Sequence, residues 1–596
     1  MRWFPWVSVA ILLVLLLCHQ WFGPDIWYHL YLGERVARTL TAQPPDNLIL
    51  HQQGFLNLYW MFQLAIRGAY ALGGIVAVSV FFMAFWGIAF GFWLIEVGRR
   101  VPAAPVGLGK VSPAGAWNAA LTLVAVLICQ TRFEQRPEIL SYAFLAMQIH
   151  WLATWKDGES PRRWELFRFT LVEAIWSNVH GYFAFGPILV GLKIASLADP
   201  KAPVARGSRT GLWRLFALTA LASIASPFGF RNWAEIAVYG NVLRQLRFAI
   251  QEALPTWTVP AHVWTVDLFW CVWAALLAAA IWIAFTAARK ELFALLLAGL
   301  GLYLSTVAFR NIPLLVFLGA PLIAAIRPRI APSPAYSAPV TWGVTLLAAG
   351  LGAWVVSSGF YRSMGMPYGF GISESRSAYP VSFAGYLRAN GFQGSLFNSM
   401  ADGGYLEFHF PGLRIYSDSR ITDVAPVRKY LGALRDPRRF HELQGQCGFD
   451  GALLSIAESH EVIAALYREN AWRPAYADLH RVFFVNRLGS VGADAAVWEP
   501  ALYQGEDLSL PQNEVPAILW VALFAELDDR QDLLRALRQF SSAPKIPSSL
   551  VEIALHFGWR RSDPEVVAAA EAMRPRVFQT LPISAAMLNQ LLPPRR

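Results

Sequence analysis

Gly23-Pro24-Asp25-Ile26-Trp27-Tyr28-His29-Leu30-Tyr31-Leu32-Gly33 follows directly on the apolar run 4–22. A bilayer core ~30 Å thick is crossed by a helix of about 20 apolar residues, so that run is a span. The quoted stretch is then the first polar loop at its mouth. It sets a carboxylate and an imidazole four residues apart among aromatic side chains. Residues at i and i+4 share one face if the segment is helical. A shallow polar spot at the water–lipid boundary is expected there, with the other polar stretches converging on it.

Composition supports this. Of 596 residues, 56% are hydrophobic and only 15% charged, with a mean hydropathy of +0.39. Such values describe a polytopic α-helical membrane protein rather than a soluble one. The net formal charge of +10 could suggest nucleic acid. In so apolar a chain it points instead to cationic cytoplasmic loops, and no nucleic-acid partner is expected. Cys18, Cys129, Cys271 and Cys447 have no metal-ligand spacing and imply no disulfide or zinc framework. Residues 7–18 resemble a signal-peptide core, but no small-x-small cleavage site follows, so an uncleaved first helix is expected.

About eleven transmembrane helices are expected, near 4–22, 70–97, 114–130, 139–155, 164–179, 181–198, 212–227, 265–287, 291–308, 310–326 and 339–358. Asn178-Val179-His180-Gly181 divides the fifth from the sixth. Lysines and arginines between spans, such as Arg99, Lys110, Arg162, Arg163, Lys201, Arg289 and Arg327, alternate onto the side that carries Arg2. The positive-inside rule makes that side cytoplasmic, with everything after residue 360 outside. Loops 23–69, 130–138, 178–181, 226–264 and 309–312 then share the outer face. Trp27, Tyr28, Tyr31, Tyr59 and Trp60 suit amphipathic helices lying in the interface of the first loop.

Three domains are expected: membrane helices over 1–360, an outer α/β domain over 361–490, and a small helical tail over 491–596. In the second, 395–398, 414–417, 451–455 and 482–485 read as buried strands alternating with helices near 381–390, 424–434 and 459–470. In the tail, helices are expected at 515–526, 530–540, 548–557 and 564–573.

Each polar residue has an ordinary alternative. Asp25 can cap the next helix, or act as general base or metal ligand for an acceptor hydroxyl. His29, one turn on, is packing or a substrate contact. Asp46, behind Pro44-Pro45, is a turn residue or a second acidic contributor. Arg132, Glu134, Arg136 and Glu138 form a dense charge cluster between two spans. Arg310 stands alone between apolar runs, which is unfavourable unless it snorkels or serves a site. Either Arg136 or Arg310 can clamp a lipid phosphate through its planar fork. His180 breaks an apolar run, Glu252 follows an aromatic loop, and Asp418 and Arg420 follow a strand end, where α/β sheets place ligands. A structural salt bridge is the alternative for that last pair. No Gly-x-x-x-x-Gly-Lys loop, His-Glu-x-x-His or nucleophile elbow is present.

Asp25-x-Trp27-x-His29-Leu30-x-x-Gly33, Pro45-Asp46, Arg136-Pro137-x-x-x-Ser141, Asn178-x-His180-Gly181, Ser226-Pro227-Phe228-Gly229 and Arg310-Asn311-Ile312-Pro313 together resemble a group of bacterial multi-pass membrane proteins similar to the GT-C glycosyltransferase superfamily. The likeness extends through Phe397-Asn398, Gly403-Gly404-Tyr405-Leu406 and Asp418-Ser419-Arg420, covering about residues 1–490. It implies a bacterial inner-membrane enzyme with a cytoplasmic N-terminus and a periplasmic C-terminal domain. It implies a catalytic acid in the first outer loop, for which Asp25 is the matching position. The implied donor is a sugar on polyprenyl phosphate or diphosphate, and the acceptor a glycan, lipid or protein. Many such enzymes carry paired acids in that loop, whereas Ile26 and Trp27 follow Asp25 here. If a divalent metal takes part, Asp25 and His29 are its candidate ligands.

The expected reaction is an inverting transfer. Asp25 is its base, Arg136 and Arg310 hold the lipid phosphate, and His29, Asp46, His180, Glu252, Asp418 and Arg420 contact substrate. A non-catalytic lipid or glycan carrier, or an assembly factor for envelope polysaccharide, is the alternative use of the scaffold.

Overall fold

The computed structural model describes residues 4–45, 56–100, 113–155, 159–197, 206–247, 250–259, 263–326, 337–421, 423–487 and 500–578. Every one of the eleven apolar runs contains a helix. They are α1 (Phe4–Leu17), α3 (Trp60–Gly98), α4 (Pro113–Cys129), α5 (Glu138–Ala153), α6 (Arg163–Trp176), α7 (Phe185–Ser196), α8 (Arg206–Ala222), α10 (Trp264–Ala287), α11 (Leu292–Val307), α12 (Ile312–Ile326) and α13 (Ser337–Val356). Among the described residues, four helical segments are long and apolar enough to cross a membrane: Trp60–Gly98, Trp264–Ala287, Phe309–Ile326 and Ser337–Val356. The chain is an integral membrane protein of helical fold. α12 lies at the centre, buried along nearly its whole length against α3, α5, α10 and α11. Gly73 and Gly74 kink α3, the latter at φ +58°, a left-handed conformation that glycine adopts without a Cβ penalty.

Two further helices complete this half, α2 (Asp25–Thr39) and α9 (Arg231–Leu246). The first buries its aromatic face against protein. It packs on α3 along one side and on the C-terminal α/β unit along the other, burying Ile26 through Gly33. Its aromatic face is answered by protein. Trp27 makes edge contacts with Tyr379 and Tyr405, and the Tyr379 hydroxyl donates to Gly23 O (2.8 Å).

The short α14 (Gly359–Ser363) leads to an α/β unit. Its strands are β1 (Ser395–Asn398), β2 (Arg414–Ile415), β3 (Gly451–Ser455), β4 (Trp472–Ala477) and β5 (Arg481–Asn486), and its helices α15 (Val381–Asn390), α16 (Met400–His409), α17 (Val424–Ala433), α18 (Pro437–Cys447) and α19 (His460–Arg468). The sheet order is β2-β1-β3-β5-β4, parallel over its first three strands and antiparallel over the last two pairs. β4 is absent from the sequence reading because Pro474 interrupts it. A proline is tolerated there because the strand is an edge and bulges between Pro474 and Tyr476. The strand expected over 414–417 stops at Ile415, although the Tyr416 amide still donates to Leu396 O (2.9 Å) as well as to Asn398 Oδ1 (3.0 Å). Four helices follow, α20 (Pro511–Glu526), α21 (Arg530–Phe540), α22 (Ser548–Arg561) and α23 (Pro564–Glu571). They share one apolar core with the sheet, and Trp520 donates its indole N–H to Leu479 O (3.0 Å).

Candidate functional site

Glycine brings the α/β unit onto the first loop. A Cβ on Gly403 would stand 2.0 Å from Ser417 O, and one on Gly404 2.9 Å from Tyr28 N. α16 is thus wedged between the first turn of α2 and the chain leaving β2. That chain is Asp418-Ser419-Arg420. Arg420 donates through Nε to Asp418 (2.5 Å) and through Nη2 to Glu407 (3.1 Å), with its guanidinium 5.4 Å from the Tyr28 ring. Asp418 and Arg420 are both buried. The salt-bridge alternative therefore describes them as they stand: their polar atoms face each other and Glu407. Between them the Ser419 hydroxyl lies beside the Asp25 carboxyl, outside strict hydrogen-bond geometry.

The tips of several helical hairpins meet at the same end. Trp60 donates to Asn178 Oδ1 (2.8 Å), and Asn178 Nδ2 to Ala225 O (2.8 Å). The Tyr182 hydroxyl donates to Asn311 Oδ1 (2.8 Å). The Phe309 amide donates to Leu254 O (2.9 Å). Five separate stretches of chain are tied together in this way.

At their meeting point lies an ionic cluster. Asp25 is the first residue of α2, behind Pro24, and the Pro24 side chain caps nothing. The Asp25 Oδ2 atom stands 3.4 Å from Arg136 Nε. Arg136 also meets Glu134 (2.7 Å) and donates through Nη1 to Glu252 (2.6 Å). Arg132 donates to the same Glu252 oxygen (2.7 Å) and to Glu138. Arg310 lies 4.0 Å from the other Glu252 oxygen and 5.8 Å from the Tyr239 ring centre. Asp25, Arg136, Glu252 and Arg310, chosen from four different loops, are thus one constellation. Arg132 and Glu134 belong to it as well, and their density between two spans was the sequence signal.

Burial pushes the Asp25 carboxyl up from its ordinary value; Arg136 and Ser419 oppose the shift, while Glu252 and Glu138 add to it. Burial acts on Glu252 in the same sense but is overcome by Arg136, Arg132 and Arg310, which hold it well below the usual carboxylate range. Four carboxylates therefore face three guanidiniums; burial raises the pKa of Asp25 and Glu134, while the arginines lower those of Glu138 and Glu252.

His180 lies at the edge of the cluster. Its Nδ1 accepts from the Tyr182 amide (3.3 Å) and stands 3.0 Å from Ser141 Oγ, which itself accepts from Trp176 Nε1 (2.8 Å). That arrangement leaves the ring proton on Nε2. Burial lowers its pKa to about 4, aided by Arg310 and Arg132 against Glu138, so the ring is neutral at pH 7. His29 is fully buried, its Nδ1 3.3 Å from Gln63 Nε2 and its ring against Tyr59 and Phe62. Burial, aided by the cations Arg420 and Arg136, lowers its pKa well below the ordinary imidazole value and keeps it neutral. Asp46 lies outside the described residues.

A divalent metal fits these residues poorly. Among the described residues no three His, Cys, Asp or Glu side chains gather as a ligand set. The carboxylates nearest Asp25 already face guanidiniums, which repel a dication.

No family model matches the chain. No curated protein matches it. Among solved structures, the crystal structure of ArnT from Cupriavidus metallidurans in the apo state is similar with a TM-score of 0.49 at 13% identity, over 83% of this chain and 98% of that one.

Proposed function

We propose that this protein transfers a sugar from a polyprenyl-phosphate donor to an acceptor at the outer face of the bacterial inner membrane. The observation that carries the reading is a part-buried carboxyl of raised pKa, Asp25, 3.4 Å from an arginine that belongs to a three-guanidinium cluster. The motifs that resemble GT-C enzymes fall on the same residues.

The chemistry divides between these two parts. Asp25 takes the proton of the acceptor hydroxyl as its oxygen bonds to the anomeric carbon from the face opposite the leaving group. The bond from that carbon to the phosphate oxygen breaks and its electron pair leaves with the lipid phosphate. Configuration inverts. Arg136, Arg310 and Arg132 face the charge that grows on the leaving phosphate; a fixed donor of this kind contributes about 10²–10³ in rate. A carboxyl whose pKa lies above the ordinary carboxylate value is a stronger base once ionised. His180 offers Nε2–H to a sugar or acceptor oxygen.

Asp25→Asn keeps the side chain's size and removes the base. In purified protein supplied with a prenyl-phosphate sugar and acceptor, it should lower turnover by about 10²–10⁴ with an unchanged thermal melt. Full turnover in that variant removes the assignment.

A further inference from the structure

Among the described residues, Glu252 is the one carboxylate that all three guanidiniums share. Its Oε2 accepts from Arg132 (2.7 Å) and Arg136 (2.6 Å), and its Oε1 faces Arg310 at 4.0 Å. The three cations come from two segments, the loop before α5 and the turn Phe309–Asn311, so the point where they converge is built by the fold and not by the loop that carries Glu252. Glu252 reaches it from a single three-residue turn, Gln251–Ala253. That turn is held from behind by Phe309 N to Leu254 O (2.9 Å) and by Thr256 Oγ1 to Ser305 O (2.6 Å). Glu252 lies on the rim: its side chain is 22% exposed, against 2% for Arg132. Arg132 keeps a spare donor, since its buried Nε has no hydrogen-bond partner among the described residues.

We propose that Glu252 is a resident stand-in for the donor's phosphate, and that a phosphodiester anion enters this site by displacing it from the three arginines. The inference rests on the reading of the cluster as a phosphate clamp. Charge requires the exchange. With all of them ionised, Asp25, Glu134, Glu138 and Glu252 outnumber Arg132, Arg136 and Arg310, so an anion added beside Glu252 meets net repulsion at short range. Replacing one carboxylate by one singly charged phosphodiester leaves the local charge as it was. The planar forks then pass from a carboxylate to a phosphate, which they match equally well. When the lipid phosphate departs, Glu252 closes on the arginines again and competes for them, which favours product release.

The experiment is a binding titration on the full chain in detergent, with geranyl methyl phosphate as a singly charged lipid-like probe and dimethyl phosphate as its tail-free counterpart. Glu252→Gln should bind geranyl methyl phosphate at least tenfold more tightly than the native protein. If the tail supplies the remaining affinity, dimethyl phosphate tightens only where it binds measurably at all; if the site takes free phosphate, both probes tighten together. Either pattern supports displacement. Equal or weaker binding of geranyl methyl phosphate by the variant overturns it, because Glu252 is then only a spacer that keeps the arginines in place. Should Glu252→Gln fail to fold, Glu252→Asp withdraws the carboxylate by one methylene with its charge intact, and a larger probe-induced rise in Tm than in native protein is expected; an equal or smaller rise overturns the proposal. Sugar transfer by native protein without tightening in the variant removes the displacement alone. Tightening without transfer by native protein removes the glycosyltransferase reading alone.

Discussion

Arg136 Nε stands 3.4 Å from Asp25 Oδ2 while its Nη1 donates to Glu252 at 2.6 Å. One side chain thus faces both the proposed base and the proposed anion seat, and only a fork can do so. Lysine offers a single compact charge without that planar geometry.

Arg136→Lys is therefore expected to lower transfer by about 10²-fold with a modest loss of stability. Arg136→Ala goes further, leaving Glu134 and Glu252 short of a partner, and breaking a buried pair in this way costs about 3–5 kcal/mol. Steady-state kinetics and denaturant titration of the two variants separate the fork from the charge. A lysine variant of native activity would show that position 136 needs only a cation.

Gly403→Ala tests the docking of the two halves. The added Cβ would meet backbone, Ser417 O at 2.0 Å and Asp418 Cα at 2.7 Å, so no side chain can rotate out of its way. Overpacking of this kind costs about 1–3 kcal/mol or more. Here it should also displace Ser419 from Asp25. The expected result is a lower Tm together with a fall in transfer, and faster cleavage by protease between α14 and α15. Gly404→Ala, with Tyr28 N at 2.9 Å, should follow in the same direction with a smaller effect.

Much of this is legible in the sequence, and the physical reasons are specific. A hydrophobic run long enough to span, or a strand such as 451–455, announces itself locally, because burial dictates residue type over its whole length. The corner around Asp25 was legible because charges are unfavourable between spans unless they serve one another. Arg132 was visible only as part of a crowd, since nothing in its neighbours says that Glu252, 120 positions away, will accept from it. The burial of α2 was hidden for a related reason. An aromatic amphipathic helix reads the same whether lipid or protein covers it; here Tyr379, Tyr405 and the close approach of Gly404 cover it with protein. Ser419 gives no signal at all, because a serine after a strand is ordinary.

Inside the α/β unit, Arg481 donates twice to Asp402 through Nε and Nη2 (2.9 and 2.7 Å) and also to Ala378 O (3.0 Å). Both partners are buried. The pair ties β5 to the start of α16, the helix wedged against α2. Asp402→Asn strands a buried guanidinium and should cost about 3–5 kcal/mol, read as a fall in the denaturant midpoint. Replacing both residues by apolar ones of similar volume should recover part of that loss, and no recovery would mean the pair holds the helix in place by geometry rather than by charge.

The last prediction concerns acid. His180 has a folded pKa of about 4 against an ordinary 6.5, burial being the chief cause, with Arg310 and Arg132 aiding it and Glu138 opposing. As pH falls below 6.5 the unfolded chain takes up this proton first, so folding stability is lost down to about pH 4 and no further. The full span is worth about 3 kcal/mol. His29, lowered by burial and by Arg420, Arg136 and His180, acts in the same sense. Asp25 acts in the opposite one: its raised pKa means that the folded state takes up the proton first, which stabilises the fold on acidification. Glu252 holds its contribution until the pH falls through its depressed value. Because these effects overlap, the informative quantity is a difference. His180→Asn removes the titrating ring while keeping an acceptor for the Tyr182 amide. Its stability should fall less steeply than that of native protein between pH 6.5 and 4.5, measured by denaturant titration in detergent at several pH values. Parallel slopes for the two proteins would mean that His180 is charged in the folded state, and would undo its proposed role as a neutral donor beside the cluster.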